Sequence, residues 1–275
     1  MTDADTRGLV AALLPAVLAA ARVEMAYFDG EMTVERKADA SPVTAADQEA
    51  EAILLAALER AAPGIPVVAE EQVAAGRVPV VSDTFFLVDP LDGTREFIER
   101  RPEFTINIGL VRDRRPVLGV VYAPASQRFY LGLGPGQAFQ ARIDPADAEV
   151  GIDDCGLSPI STREPDPSRL VVLDSRSHRS AETEALLARY DVARTTHIGS
   201  SLKFCLIAAG EGDFYPRLGP TCEWDTAAAH AVLAAAGGSV TTLDGAPLVY
   251  GKVEARFLNP HFIAWARQPI PPARG

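Results

Sequence analysis

The most constraining feature of the chain is the segment Phe85-Phe86-Leu87-Val88-Asp89-Pro90-Leu91-Asp92-Gly93-Thr94, an apolar run that ends in two aspartates and a hydroxyl. The run predicts a buried strand, and the chain must leave it abruptly, because Pro90 fixes φ and Gly93 permits a tight turn. Asp89, Asp92 and Thr94 can then converge at the strand exit, with the Leu91 carbonyl free to join them. Converging carboxylates repel unless a cation lies between them, and hard oxygen donors of this kind suit Mg²⁺. An acidic solvated turn is the plainer alternative. Two features weigh against it: Glu70-Glu71 closes a second apolar run at 65–69, and Asp225 follows Trp224 at the start of an alanine-rich stretch. Alone, each could be a solvated strand end or a helix cap; together they supply the third and fourth carboxylates of a multinuclear site.

The formal net charge of −11 excludes a phosphate-backbone binder, since no basic cluster longer than Arg112-Asp113-Arg114-Arg115 occurs. Three cysteines, Cys155, Cys205 and Cys222, lack C-x-x-C spacing and read as reduced thiols. The apolar run 8–21 follows Asp3 and Asp5, the wrong sign for a signal peptide, and is short for a membrane span. It predicts an amphipathic first helix reaching about Phe28, kinked or begun at Pro15, in a soluble intracellular protein.

After a charged stretch at 31–39, Thr44 and Asp47 resemble a capping box opening a helix that stops near Pro63-Gly64. Strands are expected at 65–69 and 85–88, each ending in a loop, and a hairpin at 104–111 and 117–122. Segments 128–131 and 137–141 extend the same antiparallel sheet. From 144 to 169 the composition turns to Asp, Pro and Ser, and the domain boundary is placed there. Beyond it come a strand at 170–173, helices at 181–190, from Gly199-Ser200-Ser201 to Gly210 and at 224–236, and strands around Val240 and Phe257. The pattern is a layered α/β fold: a mostly antiparallel unit over 1–155 and a smaller α/β unit over 156–275 that contributes Asp225.

Asp47, Glu70-Glu71, the Asp89–Thr94 motif and Trp224-Asp225-x-Ala227-Ala228 occur in the order and spacing of the lithium-sensitive, magnesium-dependent phosphatases, and the chain resembles the inositol monophosphatase superfamily. Ala229 departs from a glycine common there, which bears on helix packing. Ser41-Pro42-Val43-Thr44-Ala45-Ala46-Asp47, Gly199-Ser200-Ser201-Leu202-Lys203-Phe204-Cys205, the segment from Tyr215 to Thr221 and Phe257-Leu258-Asn259-Pro260 are similar to its CysQ branch, the 3′(2′),5′-bisphosphate nucleotidases.

The resemblance implies an αβαβα sandwich and hydrolysis of the 3′-phosphate of adenosine 3′,5′-bisphosphate to AMP, with the 5′-phosphosulfate analogue as a second substrate. It implies two to three Mg²⁺ ions: one on Glu70, Asp89 and the Leu91 carbonyl, a second on Asp89, Asp92 and Asp225, and a weaker third near Glu70. Asp47 and Thr94 then orient and deprotonate a water, and Glu71 acts from behind the ligands. The Gly93 and Thr94 amides, His178, Ser200, Ser201, Lys203, Arg217 and Asp225 face the substrate. Li⁺ sensitivity, inhibition by excess Mg²⁺ and a cytoplasmic or inner-membrane-peripheral location are further expectations of the resemblance. His197, His230 and His261 lack ligand spacing, and Gly132-x-Gly134-x-Gly136 contains Pro135 and lacks a following helix. The competing readings are an inositol or sugar phosphatase on the same scaffold and a metal-dependent nucleotide sensor without turnover.

Overall fold

The computed structural model describes residues 3–30, 34–36, 42–176 and 180–273. The outermost layer is a helix pair, α1 (Asp3–Asp29) and, after a short ribbon of β1 (Val34–Arg36) and β2 (Pro42–Thr44), α2 (Ala45–Ala61). Val10, Leu14, Val17 and Leu18 of α1 meet Leu54 and Leu58 of α2 over the sheet below. α1 neither starts at Pro15 nor ends there: Pro15 is exposed, as is Ala11, whose carbonyl loses its partner to proline, so solvent can satisfy that group. α1 is long and apolar enough to cross a membrane, but half of that stretch is buried in the fold, as expected of a core helix.

Beneath lies a sheet in the order β3-β4-β5-β6-β7-β8-β9, built from β3 (Val67–Ala69), β4 (Thr84–Asp92), β5 (Thr105–Arg112), β6 (Arg115–Ala123), β7 (Arg128–Gly132), β8 (Ala138–Arg142) and β9 (Ser158–Pro159). Only the β3–β4 pairing is parallel. Short helices α3 (Glu70–Ala74) and α4 (Thr94–Ile98) flank β4 in sequence. β4 is buried on both faces, Phe86 and Val88 toward α1 and α2, Phe85 and Leu87 toward the interior, which explains its uninterrupted apolar run.

The second sheet runs β11-β10-β12-β14-β13, formed by β10 (Leu170–Ser175), β11 (Val192–Ile198), β12 (Phe214–Arg217), β13 (Ser239–Thr242) and β14 (Phe262–Trp265). Between the sheets lie α6 (Leu202–Ala208) and α7 (Ala227–Ala235), and Leu187 of α5 (Ala181–Leu187) packs on the outer face with Val172, Phe214 and Trp265. This is the αβαβα order that the resemblance implies. The edge strand β9 still belongs to the first sheet.

Three glycines decide how close α7 comes. Gly109, Gly119 and Gly132 are cross-strand neighbours on β5, β6 and β7, and a Cβ at Gly119 would stand 1.9 Å from the Ala228 carbonyl oxygen. The helix answers with alanines, Ala229 among them at 0% exposure. Small residues on both sides, Ala227, Ala228 and Ala231 against the glycine row, let the backbones touch, and Ala229 is buried away from that row.

Several expected boundaries shift. Phe257 lies just past a 3-10 turn (Val253–Ala255) with φ +60°, and the strand expected there is β14, five residues later. Strands β11 and β12 were not expected. α7 begins at Ala227, so Trp224, Asp225 and Thr226 form the turn before it. Glu70 and Glu71 open α3 rather than a loop.

Candidate functional site: a carboxylate cluster between the sheets

Two backbone devices bring the acids together. On β4, Asp89 pairs with Asn107 and Asp92 with Thr105, so two residues of β4 oppose one of β5. In a regular strand positions 89 and 92 point to opposite faces; this bulge puts both on the face shared by Thr105 and Asn107. Pro90, which has no N–H to donate, sits in the bulge. The second device is the parallel β3–β4 register, in which Ala69 lies beside Val88. The next residue along, Glu70, therefore emerges beside Asp89. α7, lowered onto the glycine row, presents Asp225 on its leading turn.

Carboxylate oxygens of Glu70, Asp89 and Asp225 lie within 4.8 Å of one another. Asp89 is 1% exposed and accepts a 2.9 Å hydrogen bond from the Leu91 amide. Asp92 accepts a 2.5 Å bond from the Ser201 amide, and burial pushes it up to about 6 against the opposing pull of Lys203. Burial, reinforced by the charges of Asp92 and Glu70, holds Asp225 well above the usual carboxylate range. Asp225 accepts from the Cys222 amide at 2.9 Å, so it is not the cap of α7. Asn259 holds that turn through the Cys222 carbonyl at 2.8 Å and the Thr226 hydroxyl at 3.1 Å. Four acids in mutual repulsion, offering only oxygen, fit a divalent cation of the hard type.

Thr94 Oγ1 lies 3.4 Å from Asp47 Oδ1 and 3.3 Å from the Leu91 carbonyl. Asp47 is 2% exposed in the first turn of α2, and the side chain of Thr44, its expected capping partner, lies outside the described residues. Gly93 holds φ +95° at the turn into α4, where a side chain would be strained. Behind the acids, the Glu71 amide donates to Glu51 at 2.8 Å.

A cavity of about 490 Å³ opens over this cluster, lined by Glu70, Asp92, Thr94, Ser200, Arg217 and Asp225 among others. The expected anion contacts are more constrained than the sequence suggests. Lys203, 4% exposed, donates to the Ser200 carbonyl at 2.5 Å, lies 4.9 Å from the Tyr215 ring centroid, and is lowered by burial to about 8. The Ser201 amide at the start of α6 serves Asp92, and its hydroxyl donates to Asn107 at 2.7 Å. The anion at that helix start is thus an internal one. Arg217 donates to the Pro220 carbonyl at 2.6 Å and contacts Ser175 Oγ at 3.5 Å. His178 lies outside the described residues.

Sequence reading missed Glu24, Glu51, Glu96, Thr105 and Asn107, all buried around the cluster. One signal was available: Asp47 and Glu51 stand one turn apart on the stripe of Ala46, Ala50, Leu54 and Leu58, where carboxylates break the apolar face of α2.

The family described as "Inositol monophosphatase family" matches residues 5–266. A 3′(2′),5′-bisphosphate nucleotidase CysQ of Shigella flexneri is 45% identical over 241 residues, covering 86% of this chain and 92% of that protein. The crystal structure of CysQ from Bacteroides thetaiotaomicron superposes with a TM-score of 0.77 at 34% identity, covering 94% of this chain and 97% of the other. An inositol monophosphatase from Anabaena is more distant, at 25% identity and a TM-score of 0.71 over 93% and 89% of the two chains.

Proposed function

We propose that this chain, which belongs to the inositol monophosphatase family, is a metal-dependent phosphomonoesterase that removes the 3′-phosphate of adenosine 3′,5′-bisphosphate. The observation that carries the reading is the convergence of Glu70, Asp89 and Asp225 beside Asp92 in the inter-sheet cavity. The substrate follows from the identity to bisphosphate nucleotidases, higher than that to the Anabaena inositol monophosphatase. We read Glu70, Asp89 and the Leu91 carbonyl as one Mg²⁺ site and Asp89, Asp92 and Asp225 as another. Bound there, such ions neutralise phosphate charge and lower the pKa of a water.

The rest is work for the chain's own groups. Thr94 can donate its hydroxyl proton to Asp47 while its oxygen accepts from a water, so the pair orients that water and takes its proton. The Gly93 and Thr94 amides face the phosphate. Glu71 is read as a supporting carboxylate behind the ligands, on a turn whose amide donates to Glu51. Lys203 and Ser201 line the cavity while also holding Asp92 and the Ser200-Ser201 turn, and they stand with Arg217, Ser200 and His178 as the proposed nucleotide contacts. The first unit, up to the 144–169 segment, supplies the acids from Asp47 to Asp92, and the second supplies Asp225 and the nucleotide side.

Phosphate release should be measured from adenosine 3′,5′-bisphosphate, its 5′-phosphosulfate analogue and inositol monophosphate, with and without Mg²⁺. Metal-dependent release fastest from the bisphosphate is expected; faster release from inositol monophosphate would replace this reading with the inositol phosphatase one.

A further inference from the structure

A closed ring of hydrogen bonds joins β5 to the start of α6, and nothing in the proposed chemistry uses it. Thr105 and Asn107 stand on β5 opposite Asp92 and Asp89, and Ser201 lies 94 residues from Asn107 in the chain. All three are at 2% exposure or less. Asn107 donates from Nδ2 to Thr105 Oγ1 at 3.2 Å and to the Thr105 carbonyl at 3.4 Å. That carbonyl can only accept, so it fixes which end of the amide faces Thr105. Oδ1 therefore faces Ser201 and accepts its hydroxyl proton at 2.7 Å. Ser201 has then used its one proton, so across the 2.9 Å contact between the two hydroxyls Thr105 is the donor. Each link takes its direction from the one before, and the ring closes in a single sense.

The ring does not cap the helix. A serine in front of a helix ordinarily turns its hydroxyl back onto the first amides. Ser201 makes no such bond, and the Leu202 amide is served instead by Ser200 Oγ at 3.3 Å. Ser200 itself holds φ +53°, a left-handed conformation that is unfavourable for a residue other than glycine and persists only where its surroundings hold it. What the restrained turn presents is the Ser201 amide, which donates to Asp92 Oδ2 at 2.5 Å.

We propose that Asn107, through this ring, is a positioning residue for Asp92: it fixes Ser201 so that the Ser201 amide commits Oδ2 of Asp92 to the protein and leaves Oδ1 for a cation. Without the ring the turn relaxes, Oδ2 loses its fixed donor, and Asp92 has to be oriented anew each time a cation binds. Partners that orient a ligand in this way are worth about 10–100-fold in metal affinity. The proposal rests on the reading of Asp92 as a cation ligand and is independent of which phosphomonoester is hydrolysed.

Mg²⁺ binding to the substrate-free protein, measured by isothermal titration calorimetry, tests this without turnover. Asn107→Leu removes both ends of the amide link and should weaken binding by about tenfold or more. Thr105→Val takes one hydroxyl out of the ring and should weaken it by a smaller factor, while Thr105→Ser, which returns the hydroxyl, should restore the parent affinity. That pair carries the test if the Leu variant does not fold. Asp213→Ala, destabilised at its ion pair with Arg163, should keep the parent affinity, which separates lost stability from lost positioning. Parent affinity in a folded Asn107→Leu protein, or equal affinities in Thr105→Val and Thr105→Ser, overturns the proposal. A parent protein that binds no Mg²⁺ overturns the metal-site reading itself and the proposal with it.

Discussion

Asp213 and Glu223 are buried as completely as Asp89, all three at 1% exposure or less, yet the two regions treat their acids in opposite ways. Asp213 is gripped bidentately by Arg163 at 2.7 and 2.6 Å and accepts the Val171 amide at 2.6 Å. Glu223 accepts the Gly251 and Lys252 amides at 2.7 and 2.8 Å and pairs with the Lys252 ammonium at 2.6 Å. Only two residues further on, Asp225 accepts the Cys222 amide and faces Asp92 and Glu70. A buried acid with its donors supplied by the protein completes the fold. A cluster of buried acids that repel one another stores a cost which an external cation relieves.

The largest effect that could break this contrast is on turnover. Asp225→Asn is expected to lower kcat by about 10³-fold or more, while raising the Tm of the metal-free protein by removing one repelling charge. A neutral variant that lost stability instead would place Asp225 with Asp213. Next, Thr94→Val should cost about 10²-fold in kcat, with Thr94→Ser recovering most of it, since the hydroxyl and not the methyl reaches Asp47. Steady-state kinetics with both variants checks this.

On the other side of the comparison, Asp213→Ala should cost about 2–3 kcal/mol of stability with kcat unchanged, read by urea unfolding and phosphate release. The partial exposure of Arg163 keeps the figure at the low end. The smallest expected effect is a pH dependence. Asp92 is raised to about 6, so the folded state binds more protons than the unfolded chain, and metal-free stability is lost as pH rises from about 4 to about 6. Lys203, lowered to about 8, has the opposite sign and returns part of it between about 8 and 10.5. The Tm increase on adding Mg²⁺ should therefore be larger at pH 7 than at pH 5, as differential scanning fluorimetry would show. An equal increase at both pH values removes Asp92 from the cation site.

The identity of the acids was legible in the chain because Pro90 and Gly93 are local instructions, and because an apolar strand ending in carboxylates has few other uses. Helices α1, α2, α5, α6 and α7 and the antiparallel β5–β8 run were legible from periodicity and turns, whereas the five-residue α3 and α4 were not. β11 and β12 were not: Val192–Ile198 is largely polar and only half buried, and Pro216 interrupts the second. The anion contacts were only partly legible: Lys203 and the Ser201 amide are phosphate ligands by type and line the cavity, but the fold also places Asp92 beside them, which the sequence does not show.

What the sequence by itself determined is the inventory: which residues can bear metal, which can relay a proton, and that the chain forms layered sheets and helices. What only the tertiary structure decided is which of them meet. The bulge that turns Asp89 and Asp92 to one face, the glycine row that lowers Asp225 onto them and the packing that sets Thr94 beside Asp47 arise from pairings between segments far apart in the chain. Charge and chain direction are local properties; register, depth and dielectric environment exist only after the layers have packed.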